Sequence, residues 1–239
     1  MSGVVGPRFG IVQEGLVLNL DAGNTSSYPG TGTDWFDLTS NNNDGVLTNG
    51  ASYVTDGGGS ISFDGVNDYV NFNDSDLFSF GNGTSDNPFS VGCWVYCDSS
   101  VRFRTLSKAT EWLHGPFGNS VLGLILLDNN SSNYIARTTT TAIPINVWTS
   151  LISTYDGSGL STGIKHYING VEATGYNNLS AGSYTAMNNN STNFYVGRDS
   201  DFGGYHANGK IANSQIYNRV LTDSEALQNY NATKGRFGL

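Results

Sequence analysis

Hydrolysis of a glycosidic bond needs two carboxylates facing that bond, roughly 5–9 Å apart. This chain holds sixteen Asp but only Glu14, Glu111, Glu172 and Glu225 as glutamates, and these stand far apart in sequence. No strand-like stretch carries alternating acids. Glu225 has the spacing of a helix cap with Thr222, and Glu172 sits beside a turn. His114, His166 and His206 are scattered, and none neighbours a Gly-x-Ser-x-Gly nucleophile turn. No histidine pair has zinc-ligand spacing, and Cys93 and Cys97 share one extended segment. The residues therefore predict a chain that is not an enzyme.

Binding chemistry has more candidates. Calcium wants six or more hard oxygens from flexible loops. Asn67 and Asp68, with Asp199 and Asp201, offer such oxygens at strand ends. Four residues fall short of a full shell, and the same side chains suit turn amides, which the count favours over calcium. A sugar platform needs an exposed aromatic ring beside amides or acids. Trp35, Trp112 with His114 and Phe117, and Tyr205 with His206 are the candidates for contact with a glycan or a protein partner. The net charge of −9, with no Lys/Arg cluster, excludes a nucleic-acid surface. No segment is long and apolar enough to insert in a membrane.

These residues must be positioned by short strands. Leu16, Leu18 and Leu20 alternate with Val17, Asn19 and Asp21. Further strands are predicted over 60–64, 68–72, 89–97, 102–108, 121–127, 134–138, 148–155, 193–198 and 210–217. Gly65-Val66-Asn67 reads as the turn of a hairpin between 60–64 and 68–72, and Asn169-Gly170 as a type I′ hairpin turn. Residues 74–80 suggest a helical turn, and 23–44 a long polar loop. Residues 89–97 are apolar on both faces, the mark of a central strand covered on both sides. Thr222 and Glu225 open a helix near 222–234 as a capping box, with Leu221 and Ala226 as a weak hydrophobic staple. An extended strand sets the α-carbons of Cys93 and Cys97 about 13 Å apart, beyond the ~7 Å a disulfide allows, so two free buried thiols are expected. Residues 1–14 read as an arm and 15–239 as one domain. Many short strands with regular turns make an all-β, two-sheet antiparallel sandwich that ends in one short helix.

Several segments carry a family resemblance. Phe63-Asp-Gly-Val-Asn-Asp-Tyr-Val70, Phe89-Ser-Val-Gly-Cys-Trp-Val95, Trp148 to Gly157, Tyr167-Ile-Asn-Gly-Val171 and Gly209 to Glu225 resemble, in order, the motifs of laminin G-like, concanavalin A-like jelly rolls. The resemblance covers residues 15–230. The opening Gly15 to Gly23 further resembles jelly rolls among the virion structural proteins of tailed bacteriophages. That resemblance implies a non-enzymatic virion structural protein, a capsid decoration or appendage component, made in the host cytoplasm without a signal peptide. Its implied partners are other virion proteins and further copies of itself as a homo-oligomer, with residues 1–14 docking on a neighbour. The alternative is a carbohydrate-binding adhesin module that meets a cell-surface glycan. A glycoside hydrolase is the third reading, and needs two converging carboxylates.

Overall fold

A computed structural model of the chain describes residues 10–99, 103–128, 132–199 and 204–239. Two antiparallel sheets stack face to face. The smaller has eight described strands, in the order Val171–Glu172, Ile164–Ile168, Trp148–Tyr155, Phe89–Cys97, Asn208–Tyr217, Ser60–Asp64 and Ser52–Val54, with Leu16–Asp21 also paired to Asn208–Tyr217. The larger has nine, in the order Tyr176–Ala181, Tyr134–Ala142, Val121–Leu127, Trp112–Pro116, Leu106–Lys108, Phe194–Val196, Tyr69–Phe72, Gly45–Thr48 and Asp34–Trp35. The sandwich and its closing helix are those the alternation predicts.

The pleat decides what enters the core. On Phe89–Cys97 the odd-numbered residues Phe89, Val91, Cys93, Val95 and Cys97 turn inward. Phe89 stacks on Phe80 with centroids 4.2 Å apart, and lies 5.6 Å from Trp112 of the opposite sheet. Phe72 and Phe194, on adjacent strands of the larger sheet, approach to 4.9 Å. Each buried aromatic ring of this kind contributes on the order of 2–3 kcal/mol by leaving water.

The even-numbered residues of Phe89–Cys97 are covered as well, by the C-terminal segment. Trp94 stacks on Phe237 at 4.0 Å and its Nε1 donates to Thr233 Oγ1 at 2.7 Å. Ser90 Oγ donates to the Arg219 carbonyl at 2.8 Å and accepts from Leu221 N at 2.9 Å. The helix Asp223–Thr233 opens with the expected capping box: Thr222 N donates to Glu225 Oε2 at 2.9 Å, and Glu225 N to Thr222 Oγ1 at 3.3 Å. Such a cap is worth about 1 kcal/mol. Leu221 and Ala226 are both buried in the cluster beneath the helix. Arg219 forks onto Glu225 at 2.9 and 2.6 Å, fixing where the helix starts.

Three expectations are corrected. The segments 60–64 and 68–72 do not form a hairpin: Ser60–Asp64 belongs to the smaller sheet and Tyr69–Phe72 to the larger. Residues 65–67 are the corner between layers, held by Asp64 N donating to Asp68 Oδ2 at 3.0 Å and Val66 N to Asp64 Oδ1 at 2.8 Å. A glycine turn between alternating segments looks the same whether the chain folds back or changes sheet. Residues 10–14 of the predicted arm pack on the chain's own helix, because Val12 N donates to Asn229 Oδ1 at 2.8 Å and Gln228 Nε2 to the Gly10 carbonyl at 2.9 Å; residues 1–9 lie outside the described residues. Strands Trp112–Pro116 and Tyr176–Ala181 arise where none was expected. The Asn169-Gly170 turn has φ of 51° and 77°, the left-handed pair a type I′ hairpin requires.

Cys93 and Cys97 are free and buried. Burial pushes the Cys97 thiol up to about 12 and the Cys93 thiol higher still, and the thiolate is the reactive form. A maleimide reagent at neutral pH is therefore expected to leave the native chain unlabelled and to label two thiols in denaturant. Equal labelling rates in the two conditions would contradict the buried placement.

Candidate functional site

The strands Tyr69–Phe72 and Phe194–Val196 pair antiparallel in the larger sheet, Tyr195 opposite Asn71. Val70, Phe72, Phe194 and Val196 are buried inside. The pleat therefore turns Tyr69, Asn71 and Tyr195 to the outer face, where each is half-buried. The face continues to Val46, opposite Asn71, which is 45% exposed.

The outward residues form one cluster. The Tyr69 and Tyr195 rings meet edge to face, centroids 5.7 Å apart at 82°. The Arg198 guanidinium carbon lies 4.8 Å from the Tyr69 centroid and 5.1 Å from that of Tyr195. The His206 ring is 6.3 Å from that of Tyr69, and its Nδ1 is 3.2 Å from the Asp68 carbonyl, so Nδ1–H donates there. Asn193 Nδ2 donates to Asn71 Oδ1 at 3.0 Å. That bond leaves the Asn71 amide N–H groups and the Asn193 carbonyl for a ligand. Rings with a few amides and one cation suit a sugar, whose C–H faces pack on aromatics while its hydroxyls take directional bonds.

Of the residues singled out from the sequence, His206 joins this cluster. Tyr205 is half-buried, 5.6 Å from the Arg104 guanidinium. Trp35, Trp112 and His114 are corrected, because all three are fully buried and offer no platform. Trp112 and His114 lie two apart on a strand, so one pleat face carries both into the core. There Trp112 Nε1 donates to the Phe78 carbonyl at 2.8 Å, and His114 Nδ1 meets Thr105 Oγ1 at 2.6 Å. Burial holds His114 neutral, its pKa pushed down to about 3. Phe117 is half-buried with the Arg104 guanidinium 3.9 Å above its ring. Tyr69, Tyr195, Asn71, Asn193 and Arg198 escaped notice, although the alternation Tyr69-Val70-Asn71-Phe72 carried the signal: polar or amphipathic outward, apolar inward.

The calcium candidates do not gather. The Asp68 carboxylate accepts from Asp64 N, and the Asn67 carbonyl accepts from Asn49 Nδ2 at 2.9 Å. Asp199 is fully buried and binds Arg104 Nε at 2.5 Å, a cation already in the place a metal would need. Asp201 lies outside the described residues. Among the described residues no three His, Cys, Asp or Glu stand close enough to hold a metal ion.

The glutamates stand apart from one another. Glu172 accepts from Lys165 Nζ at 3.0 Å, Glu225 serves the helix cap, and Glu14 is exposed. Glu111 is fully buried, accepting from Asn190 N at 2.9 Å and Ser79 Oγ at 3.2 Å. Burial, opposed by those bonds and by Lys108, lifts its carboxyl to about 7. The folded chain therefore holds this proton more tightly than the unfolded one. The stability this gives is complete below about pH 4.5 and is lost as pH rises through about 7. His114 and His166, pushed down to about 3 and about 4, act in the opposite sense and cost stability as pH falls below about 6.5. A Glu111→Gln variant is thus expected to gain on the wild type as pH rises from roughly 5 to 8, seen in urea unfolding at each pH. A constant difference across that range would show that Glu111 does not titrate in the folded chain.

The family model described as the concanavalin A-like lectin/glucanases superfamily matches residues 63–226. No curated protein sequence matches the chain. Among solved structures, domain 4 of an extracellular arabinanase from Geobacillus stearothermophilus, in complex with arabinotriose, is 22% identical with a TM-score of 0.64, over 90% of this chain and 98% of that one. A botulinum neurotoxin type C structure, concerned with cell entry through two ganglioside molecules, is 13% identical with a TM-score of 0.64, over 92% of this chain and 51% of that one. Trypanosoma rangeli sialidase in complex with sialic acid is 16% identical with a TM-score of 0.57, over 95% of this chain and 34% of that one. The chain thus spans nearly all of the arabinanase domain, about half of the toxin chain and a third of the sialidase. At these identities the likeness is one of fold. Because the family match runs from the corner between the two sheets into the closing helix, the chain belongs to the concanavalin A-like lectin/glucanases superfamily.

Proposed function

We propose that this chain is a carbohydrate-binding module that holds a glycan on the outer face of its larger sheet. Tyr69 and Tyr195 are the apolar platform, and Asn71, Asn193 and His206 supply directional hydrogen bonds. The observation that carries this reading is the outward aromatic pair, standing among unspent amide groups on a face with no α-helix over it among the described residues. Relatives of the same fold that are described with arabinotriose or with gangliosides support it further. Binding without cleavage belongs to the proposal, since Glu172 and Glu225 are committed to cations and Glu111 is sealed in the interior. The virion structural role rests on the resemblance of the opening strand, whereas the tyrosines and the relatives' ligands favour a glycan.

A glycan array followed by calorimetry on the best ligand tests the reading. Wild type is expected to bind, and Tyr69→Ala or Tyr195→Ala to weaken binding by roughly tenfold, the scale of one lost ring contact. Both variants should keep their melting temperature within a few degrees, because each ring lies outside the core. A broad array with no ligand, or two tyrosine variants of unchanged affinity, would remove the proposal.

A further inference from the structure

Arg198 stands at the centre of the tyrosine cluster as a cation without an anion among the described residues. Three of the other described arginines are ion-paired, and the fourth, Arg137, has a partnerless buried Nε as Arg198 does but spends its Nη1 on backbone carbonyls. Arg104 binds Asp199, Arg219 binds Glu225, Arg236 binds Asp21, and Arg137 donates to the carbonyls of Thr162 and Ile164. Arg198 makes no ion pair to a described residue, and its Nε is buried with no hydrogen-bond partner. An unpaired N–H of a charged group, taken from water, costs free energy unless something returns the bond. The group is nonetheless held in a fixed place. Tyr69 and Tyr195 pack around its plane, and its backbone is pinned by Ser107 Oγ donating to the Arg198 carbonyl at 2.6 Å and by a strand bridge to His206.

The Nε is buried, so the two Nη groups are the end that a ligand can meet, and held against the rings they present a fork of N–H donors that matches the two oxygens of a carboxylate. The nearby described acids do not fill it. Asp199, next in sequence, is taken by Arg104, and Asp68 is taken by the backbone of Asp64. Asp64 turns its carboxylate to the amides of Val66 and Asn67. The net charge of −9 rules out long-range attraction of an acid, so any preference must come from contact at this one group.

Resting on the glycan-binding reading above, we infer that Arg198 selects glycans bearing a carboxylate, a terminal sialic or uronic acid. The carboxylate takes the guanidinium fork while the sugar ring lies against Tyr195 and Tyr69.

The test is calorimetry on the full chain with sialyllactose, a galacturonate oligosaccharide, and their neutral counterparts, lactose and the carboxyl-reduced oligosaccharide. Wild type is expected to bind one acid roughly tenfold or more tighter than its neutral partner, the scale of charge-assisted hydrogen bonds. Which acid does so identifies the source of the carboxylate. Arg198→Gln should bring the acid-to-neutral ratio to near one, and Arg198→Lys, which keeps the charge but not the fork, should restore part of it. Circular dichroism and thermal melting check that each variant folds. If Arg198→Gln fails to fold, the wild-type ratio and the Lys variant still decide. Neutral glycans bound as tightly as acidic ones, or a preference that survives Arg198→Gln, would overturn the inference and leave the binding reading intact. Binding of none of the four ligands, with none on the array, would remove both.

Discussion

The candidate site depends on the pleat of two neighbouring strands. Tyr69–Phe72 and Phe194–Val196 alternate side chains with a period of two, and their register sets Phe72 opposite Phe194 and Asn71 opposite Tyr195. The inner rings join the aromatic contact with Phe78 and Trp112, the centroids of Phe194 lying 4.7 and 5.9 Å from theirs. That buried contact fixes the register, because a slip of one residue would exchange core phenylalanines for outward tyrosines on both strands. The geometry of the outer cluster is thus a by-product of packing in the interior, and the exposed rings need few interactions of their own to stay in place.

The two layers divide the work. The smaller sheet gives up its outer face to the C-terminal segment, where Phe237 stacks on Trp94 and packs tilted against Trp148, and Arg236 reaches Asp21 and the carbonyls of Gly57 and Gly59. A central strand apolar on both faces requires such a cover. Among the described residues no α-helix lies over the larger sheet, and its edge strand Tyr176–Ala181 is mostly exposed. Its outward residues are therefore the ones a partner can meet.

Much of the fold was legible in the sequence, and most of the site was not. Alternating leucines, the Asn169-Gly170 turn and the Thr222–Glu225 cap are local signals, each complete within a few residues, and each is realised as read. The corner at 65–67 was not legible, because a hairpin and a sheet crossing use the same turn residues and differ only in distant partners. The tryptophans misled for a related reason. Ring type marks Trp35 and Trp112 as sugar platforms, but pleat parity, visible once the strand Trp112–Pro116 is known, buries Trp112 with His114. Asp199 looked like a metal ligand until its partner Arg104, 95 residues earlier in sequence, was placed beside it. The cluster of Tyr69, Tyr195 and Arg198 joins residues more than a hundred positions apart, and their meeting follows from strand order alone.

Both described ends of the chain lie on the helix side. Gly10 is tied to Gln228, and the last turn, Lys234–Phe237, packs on Trp94. The tyrosine cluster occupies the opposite face of the sandwich. A chain tethered to a bead, a chip or a larger scaffold by its C-terminal end would stand with its back to the support and its rings toward the medium. The closing helix, which began as a lid for a greasy strand, thereby also sets which way the molecule looks.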